Sequence, residues 1–237
     1  MPREKITDAD QAAEPAAALS RRGFLQRTGA LAAATAPLAL PAATATPDGT
    51  PEQIHLTWGD DPSATVVVSW ASSAPAINPR VLFGATPALG ETAHGMQRIY
   101  TDGLNGETSF TYHARLTGLT PDTTIHYAVT ADNDGNRAQP FTASFRTAPR
   151  GRAPFRWTSY GDVATPNTAW ALSSPQSRHA VAAVERFAPL FHLLNGDLYY
   201  AKLNPTAQPA VWRDFGNNNQ SSAAFRPWMP CWAEIRQ

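Results

Sequence analysis

The stretch LTGLTPDTTIHYAV, residues 116–129, joins a tight turn to the strand that follows it. Its Pro-Asp pair at 121–122 favours the turn, because proline fixes one backbone angle in advance and aspartate hydrogen-bonds its own backbone. After the turn, apolar side chains recur at every second position, at Ile125, Tyr127 and Val129, which is the period of a half-buried strand. This stretch therefore predicts a sheet protein in which a short strand begins directly after a turn.

Other candidate strands lie on both sides of that stretch, separated by turn signals rich in Gly, Pro, Asn and Asp. Together with a strand at 124–130, they lie at residues 53–58, 64–70, 80–83, 97–101, 108–116 and 141–147. About seven short strands at this spacing over ~100 residues predict a β-sandwich of the immunoglobulin or fibronectin type III kind.

Residues 116–129 also resemble the fibronectin type III signature that runs into the penultimate strand of that fold. The pattern usually carries a tyrosine where Ile125 stands here, and that tyrosine makes the corner hydrogen bond of the sandwich. We expect Tyr127, two residues further on, to pack in the core. The resemblance implies a fibronectin type III-like domain over residues 50–148.

The composition argues against several classes of partner. The formal net charge is zero, so neither a nucleic-acid surface nor an anionic-membrane surface is expected. No stretch of about 18 residues is apolar enough to span a bilayer, so no stable membrane anchor is predicted. The single cysteine, Cys231, allows no intrachain disulfide, and we expect it to be a small buried apolar residue.

The first 45 residues have the features of an export signal. The sequence SRRGFLQ at 20–26 precedes an alanine-rich stretch at 29–43 and an Ala-Thr-Ala cleavage signal at 43–45. Adjacent arginines followed by Phe24 and Leu25 resemble a twin-arginine signal of bacteria. The resemblance implies passage through the twin-arginine translocation machinery, and a secreted or periplasmic (cell-envelope) location.

The pattern changes after a basic, proline-containing linker at 150–154. A strand is predicted at 155–160, then a helix opened by Pro175, then a near-continuous apolar strand at 190–194. Strand, helix and strand in about 40 residues predict a βαβ unit with parallel strands. This unit begins a second domain, at 153–237.

Each of the two predicted parallel strands ends in a Gly-Asp turn, the first containing Asp162 and the second Asp197. Because sites form at the carboxyl ends of parallel strands, both aspartates are expected at the same sheet edge. Two carboxylates side by side repel each other unless a cation lies between them, and hard oxygen ligands suit Fe(III), Mn(II) or Mg(II). A phenolate from Tyr200 would add a third oxygen. The alternative is that each aspartate only closes its own turn.

The sequence NGDLYY at 195–200, preceded by Gly161-Asp162, resembles the first two metal-binding blocks of the purple acid phosphatases, a branch of the calcineurin-like metallophosphoesterases. The phrase PEQIHL at 51–56 is similar to the start of their N-terminal sandwich. The resemblance implies Fe(III) paired with a second divalent metal (Zn, Mn or Fe), and hydrolysis of small-molecule phosphate monoesters by metal-activated hydroxide. It implies that Asp162 binds iron, that Asp197 bridges both metals and that Tyr200 is the phenolate ligand, whereas Tyr199 is no ligand.

The family's next block, Gly-Asn-His-Glu, would follow residues 226–231 almost at once, but this sequence continues WAEIRQ. We therefore expect a C-terminally truncated phosphatase, with a sandwich followed by the first βαβ portion of an α/β metallophosphoesterase domain. No catalytic residue is identifiable in it, and we expect it to be inactive by itself. The rival interpretation is a non-catalytic secreted fibronectin-type binding module with a vestigial phosphoesterase tail.

The remaining polar residues of interest are expected to be structural. His192 lies well down its strand from Asp197, and a satisfied core histidine is the prediction. Residues 211–215 suggest a short helix beside the site. The three asparagines at 217–219 could orient substrate, but a solvated loop is the favoured interpretation.

Overall fold

Two four-stranded antiparallel sheets form a β-sandwich in the computed structural model, which describes residues 48–133, 140–163, 177–198, 201 and 206–231. The first sheet has the order β1-β2-β6-β5 and the second has the order β4-β3-β7-β8. The strands are β1 (Glu52–Trp58), β2 (Val66–Ser72), β3 (Arg80–Gly84), β4 (Glu91–His94), β5 (Met96–Thr101), β6 (Thr108–Leu116), β7 (Thr124–Thr130) and β8 (Phe141–Arg146). The predicted export signal, Pro175 and Tyr200 lie outside the described residues.

The core of the sandwich is formed by apolar side chains of both sheets that point between them. Trp70 of β2 and Tyr112 of β6 are directly paired and their rings stack at 5.4 Å between centroids. Tyr127 is buried as predicted, and its ring lies 5.9 Å from that of Phe145. The other large side chains with no exposed surface are Ile54, Leu56, Val66, Val68, Val81, Leu116 and Val129. Burial of these apolar side chains from both sheets is the main stabilising contribution to the sandwich.

The predicted sandwich is confirmed, with strand ends that differ from the prediction by at most two residues and with one strand that was missed. Strand β2 begins two residues later than predicted, at Val66. An eighth strand, β4, was missed because its four residues, ETAH, carry no apolar alternation. It lies at the edge of its sheet and pairs only with β3, so its side chains stay mostly exposed and leave no hydrophobic pattern in the sequence.

The predicted βαβ unit is also confirmed. Strand β9 (Trp157–Tyr160) runs parallel to β10 (Phe191–Leu194), and helix α1 (Ser177–Glu185) lies between them in sequence. A third parallel strand, β11 (Trp228–Pro230), pairs with the other side of β10, giving the order β11-β10-β9. This strand was not predicted, because three residues ending in proline give no strand signal.

Helix α2 (Gln208–Ala223) corrects the predictions for this part of the chain. Residues 211–215 were expected to form only a short helix and the asparagines at 217–219 a solvated loop, but all of them belong to one helix of 16 residues. The loop prediction was wrong because Asn219 is buried and the side-chain oxygen of Asn217 accepts a hydrogen bond from the Gln53 N–H at 3.0 Å. Tertiary contacts override the weak helix propensity of asparagine here.

Strand β1 contains a bulge that explains why α2 packs against it. The pairing with β2 slips by one residue between Glu52 and His55, and Gln53 has φ +57°. The N–H of Ile54, inside the bulge, donates to the side-chain oxygen of Gln220 in α2 at 2.9 Å. A bulge leaves residues unpaired in the ladder, so side-chain acceptors on α2 replace the missing strand partners.

A buried hydrogen bond also joins the sandwich to the residue that directly follows α2. The Tyr127 hydroxyl donates to the carbonyl oxygen of Ala224 at 2.6 Å, and Ala224 is itself fully buried in the sandwich core. Burial raises the pKa of the Tyr127 phenol, so the hydroxyl keeps its proton and remains a donor.

A buried polar cluster joins α1, β10 and α2. His192 has no exposed surface, as predicted; its Nε2 lies 2.8 Å from the Glu185 carboxylate and its Nδ1 lies 2.5 Å from the Thr158 hydroxyl. Ser222 and Arg226 also donate to Glu185, both at 2.5 Å. Burial alone would raise the pKa of Glu185, but these three donors outweigh it and lower the pKa to about 2.

Among the described residues, no helix has both the length and the apolar character needed to cross a bilayer.

Replacing Tyr127 by phenylalanine should destabilise the protein by about 1–2 kcal/mol, because the buried Ala224 carbonyl loses its donor. Urea unfolding followed by circular dichroism measures the effect. The control is Tyr100→Phe, which removes a hydroxyl bond from a side chain that is 56% exposed and should change stability by less than about 0.5 kcal/mol. Equal effects of the two variants would contradict this account.

The Glu185 cluster predicts a pH-dependent contribution to stability. The folded-state pKa lies below the ordinary 4.5, so the contribution is fully present above pH 4.5 and is lost as the pH falls towards 2. The depression corresponds to at most about 3 kcal/mol, and solvent screening of this half-buried carboxylate makes the contribution smaller. Urea unfolding of Glu185→Gln should show a large loss at pH 7 and a much smaller one at pH 3. The exposed Glu107→Gln is the control, and an equal loss for Glu185→Gln at both pH values would refute the prediction.

Candidate metal-binding turns

The two Gly-Asp turns lie next to each other at one edge of the three-stranded parallel sheet. Strands β9 and β10 are paired in register, with Tyr160 opposite Leu194 as the last residue of each. Asp162 follows the first strand by two residues and Asp197 follows the second by three, and both are exposed. The topology therefore brings the two predicted ligands to the carboxyl edge of adjacent parallel strands, where α/β proteins place their sites.

Glycine at 161 allows the two turns to touch. A Cβ atom at Gly161 would fall well inside contact distance of the Asn195 carbonyl oxygen. The N–H of Val163 donates to the Asp197 carbonyl oxygen at 3.4 Å, which joins the turns by a backbone hydrogen bond. Gly196 has φ +122°, in a region that side chains rarely adopt. Glycine is thus required at 161 by the close approach of the Asn195 backbone, and at 196 by the backbone conformation.

Asp162 has a positive φ of 50°, in the left-handed region. Aspartate tolerates this conformation better than most residues, but it remains less favourable than a right-handed one. Non-glycine residues held in this region are concentrated at functional sites, where surrounding structure fixes them. Five other described residues that are not glycine also have a positive φ, Leu89 and Ala188 among them, so this conformation alone assigns no role to the Asp162 side chain.

Asn195 and Cys231 form hydrogen bonds at the same edge of the sheet, beside the two aspartate turns. The Asn195 amide donates to the Ser159 hydroxyl, and the Cys231 thiol donates to the Leu194 carbonyl oxygen at 2.9 Å and to the Asn195 side-chain oxygen at 2.5 Å. The prediction that Cys231 is a buried apolar residue is wrong, because it is exposed. It directly follows β11, which ends at the same edge as β9 and β10, so it emerges beside the turns rather than within the sheet. No local pattern indicates this exposure, since β11 itself was not predicted.

The donor chemistry of the turns fits a hard cation. Two exposed carboxylates on touching turns supply negative oxygen donors and would repel each other without a positive charge between them. In the part of the chain that the structure describes, no three or more His, Cys, Asp or Glu side chains come together as a metal site. Tyr200, the predicted third ligand, lies outside the described residues. The assignment of Asp162, Asp197 and Tyr200 as ligands stays a prediction.

Residues 51–147, which comprise the sandwich, match the family model of the purple acid phosphatase N-terminal domain. An uncharacterized protein of Mycobacterium tuberculosis is 41% identical over 189 residues, covering 75% of this chain and 34% of that protein. A phosphoenolpyruvate phosphatase of Allium cepa is 25% identical over 190 residues, covering 76% of this chain and 35% of that protein. The chain thus spans about a third of the length of these relatives.

A solved structure extends the likeness beyond the sandwich. The structure of a purple acid phosphatase from seeds of yellow lupin, Lupinus luteus, superposes with a TM-score of 0.61 at 17% identity, covering 79% of this chain and 37% of that chain. At this identity the superposition shows a shared fold alone. It agrees with the sandwich followed by parallel strands described above. Residues 51–147 of this chain are thus a domain similar to the purple acid phosphatase N-terminal domain.

Proposed function

We propose that this chain supplies the sandwich and the first metal-binding turns of an acid phosphatase of the purple type. The observation that carries the proposal is the contact between the Asp162 and Asp197 turns at the carboxyl edge of β9 and β10. Carboxylate-bearing turns that follow a domain similar to the purple acid phosphatase N-terminal domain would supply metal ligands to a metal-dependent phosphoric monoester hydrolase. The proposed substrates are small-molecule phosphate esters, in keeping with the name of the onion relative.

The proposed cofactor is Fe(III) with a second divalent metal, Zn, Mn or Fe. Such a pair supplies an activated hydroxide and neutralises charge on the phosphoryl group. Three residues of this chain would hold these metals: the Asp162 carboxylate would bind the iron, the Asp197 carboxylate would serve both metals, and Tyr200 would contribute a phenolate. The backbone bond from Val163 to Asp197 keeps the two carboxylate-bearing turns together.

Two carboxylates and one phenolate do not complete the coordination of two metals, each of which takes four to about six ligands. We therefore propose that the 237-residue chain by itself binds a cation without turning over substrate. The export signal supports delivery of the protein to the cell envelope or the medium through the twin-arginine machinery. Both the location and that partner are proposals from the sequence at 20–45.

Addition of Fe(III) to the full 237-residue chain should produce a visible absorption band from the iron–phenolate pair, because a coordinated phenolate transfers charge to the iron. Tyr200→Phe should abolish the band, whereas the matched control Tyr199→Phe should keep it. Asp162→Asn should weaken Fe(III) binding by at least about tenfold, because a charged oxygen ligand is lost. A chain that shows no band, or keeps it without Tyr200, would favour the non-catalytic binding module.

The same titration tests the glycine at the contact between the turns. Gly161→Ala should weaken Fe(III) binding, since its methyl group cannot fit against the Asn195 carbonyl. The matched control is Gly103→Ala, because nothing lies within 4 Å of a Cβ atom at Gly103. Equal affinity of the two glycine variants would show that close approach of the turns is not needed for the site.

With Fe(III) and either Zn(II) or Mn(II), the full chain should hydrolyse p-nitrophenyl phosphate no faster than the metals alone. The reason is the incomplete ligand set, which leaves the second metal without sufficient protein donors. Release of p-nitrophenol at acidic pH is the measurement. Robust metal-dependent turnover would contradict the proposal that the chain is inactive by itself. It would not bear on the metal-binding prediction, which the Fe(III) titration tests.

A further inference from the structure

A groove crosses the outer face of the first sheet, away from the sandwich core. Helix α2 packs on β1 at one side of this face, and β5 forms the open edge at the other side. Between them lies a cavity of about 540 Å³, within the size range of small-molecule sites. Its lining comes from the β1, β2, β5 and β6 strands, the hairpin after β5 and the first turns of α2.

The floor of the groove consists of small side chains. Register places Ala71 of β2 opposite Thr111 of β6, and Ser109 of β6 opposite Tyr100 of β5, all on the outer face of the sheet. The small size of Ala71, Ser109 and Thr111 leaves a depression that larger side chains would fill. The serine and threonine hydroxyls can each donate and accept hydrogen bonds.

Two aromatic side chains stand at the sides of this floor. Tyr100 is 56% exposed on β5 and Trp212 is 43% exposed on α2. The Tyr100 hydroxyl donates to the Asp102 carboxylate at 3.2 Å, and the Trp212 ring meets Phe215 edge-on at 5.8 Å. Both rings are therefore held in place before any ligand arrives, which reduces the entropic cost of binding.

The charged groups of the groove largely neutralise one another or are satisfied within the fold. Arg213 and Glu52 form an ion pair at 2.8 Å. Asp102, which is 4% exposed, accepts the N–H groups of Leu104 and Asn105 at 2.9 Å each in addition to the Tyr100 hydroxyl. The exposed Glu107 adds a further negative charge. These carboxylates disfavour a phosphate ester. Because Glu52 is paired with Arg213 and Asp102 already accepts three hydrogen bonds, the groove also offers little unpaired negative charge to a cation, and it suits an uncharged ligand.

We propose that this groove binds a neutral oligosaccharide. A pyranose ring has one apolar C–H face that can stack on Tyr100 or Trp212, while its hydroxyls can bond to the serine and threonine floor and to carboxylate oxygens. Exposed aromatic rings beside hydroxyl groups match that mixed chemistry, whereas a purely apolar ligand would leave the floor unsatisfied. This site is distinct from the metal-binding turns and does not depend on the proposed phosphatase activity.

The test is isothermal titration calorimetry of the full 237-residue chain with three neutral probes: hexa-N-acetylchitohexaose, cellohexaose and maltohexaose. At least one should bind in the micromolar to millimolar range. Tyr100→Ala and Trp212→Ala should each weaken that binding by at least about tenfold, because each removes a stacking surface. Thermal unfolding should show that both variants remain folded, as expected for exposed side chains.

Matched controls lie outside the groove. Phe225→Ala removes an aromatic ring that is 43% exposed, like Trp212, and Ile99→Ala removes an apolar side chain on the opposite face of β5 from Tyr100. Both controls should bind the sugar within about twofold of the original chain. Absence of binding for all three sugars, or binding unaffected by Tyr100→Ala and Trp212→Ala, would overturn the proposal. Binding of lysine hexapeptide but of no sugar would overturn it in favour of a cationic peptide.

Discussion

The backbone N–H groups in the bulge of β1 need hydrogen-bond acceptors outside the sheet. This requirement fixes α2 on β1, and the arrangement of the parallel strands depends on it. Ile54 is fully buried, so its N–H must find an acceptor other than water. Gln220 provides it, and Asn217 accepts from the neighbouring Gln53. These acceptors are three residues apart on α2 and therefore lie on one helix face. Gly216 allows that face to approach closely, because a Cβ atom there would lie 2.6 Å from the Gln53 side chain.

Once α2 is fixed on β1, the contacts that follow lead directly to the aspartate turns. Ala224 is held by Tyr127 of the sandwich, and Pro227 forms a parallel bridge with Leu56. The next residues form β11, which pairs with β10, the strand that ends just before Asp197. The Glu185 cluster joins the same strand to α1 and α2 by partly buried hydrogen bonds to the carboxylate. The sandwich and the parallel strands thus share one continuous set of contacts.

The parts of this architecture that were predictable have local signals. Alternation identified seven of the eight sandwich strands, and topology brought Asp162 and Asp197 to one sheet edge from sequence alone. Helix α2 was misjudged because its asparagines are held by a bulge 164 residues earlier in the chain, which no local pattern reveals. The groove was missed for the same reason, since one of its walls exists only after α2 has packed on the sheet. Exposure of Cys231 likewise depends on strand pairing that three residues cannot signal.

The position of Trp212 determines how the groove and the metal-binding turns can be separated by experiment. Trp212 also lines a smaller, mostly apolar cavity of about 300 Å³ together with Leu198, the residue after Asp197. A change at Trp212 can therefore disturb both the groove and the cavity beside Leu198. Tyr100, in contrast, lines the groove and not the smaller cavity. Loss of sugar binding in Tyr100→Ala with an unchanged response to Fe(III) would consequently assign the two ligands to two sites. If Trp212→Ala alone lost both sugar binding and the response to Fe(III), the reason would be that Trp212 lines both cavities, and not that the two ligands share one site.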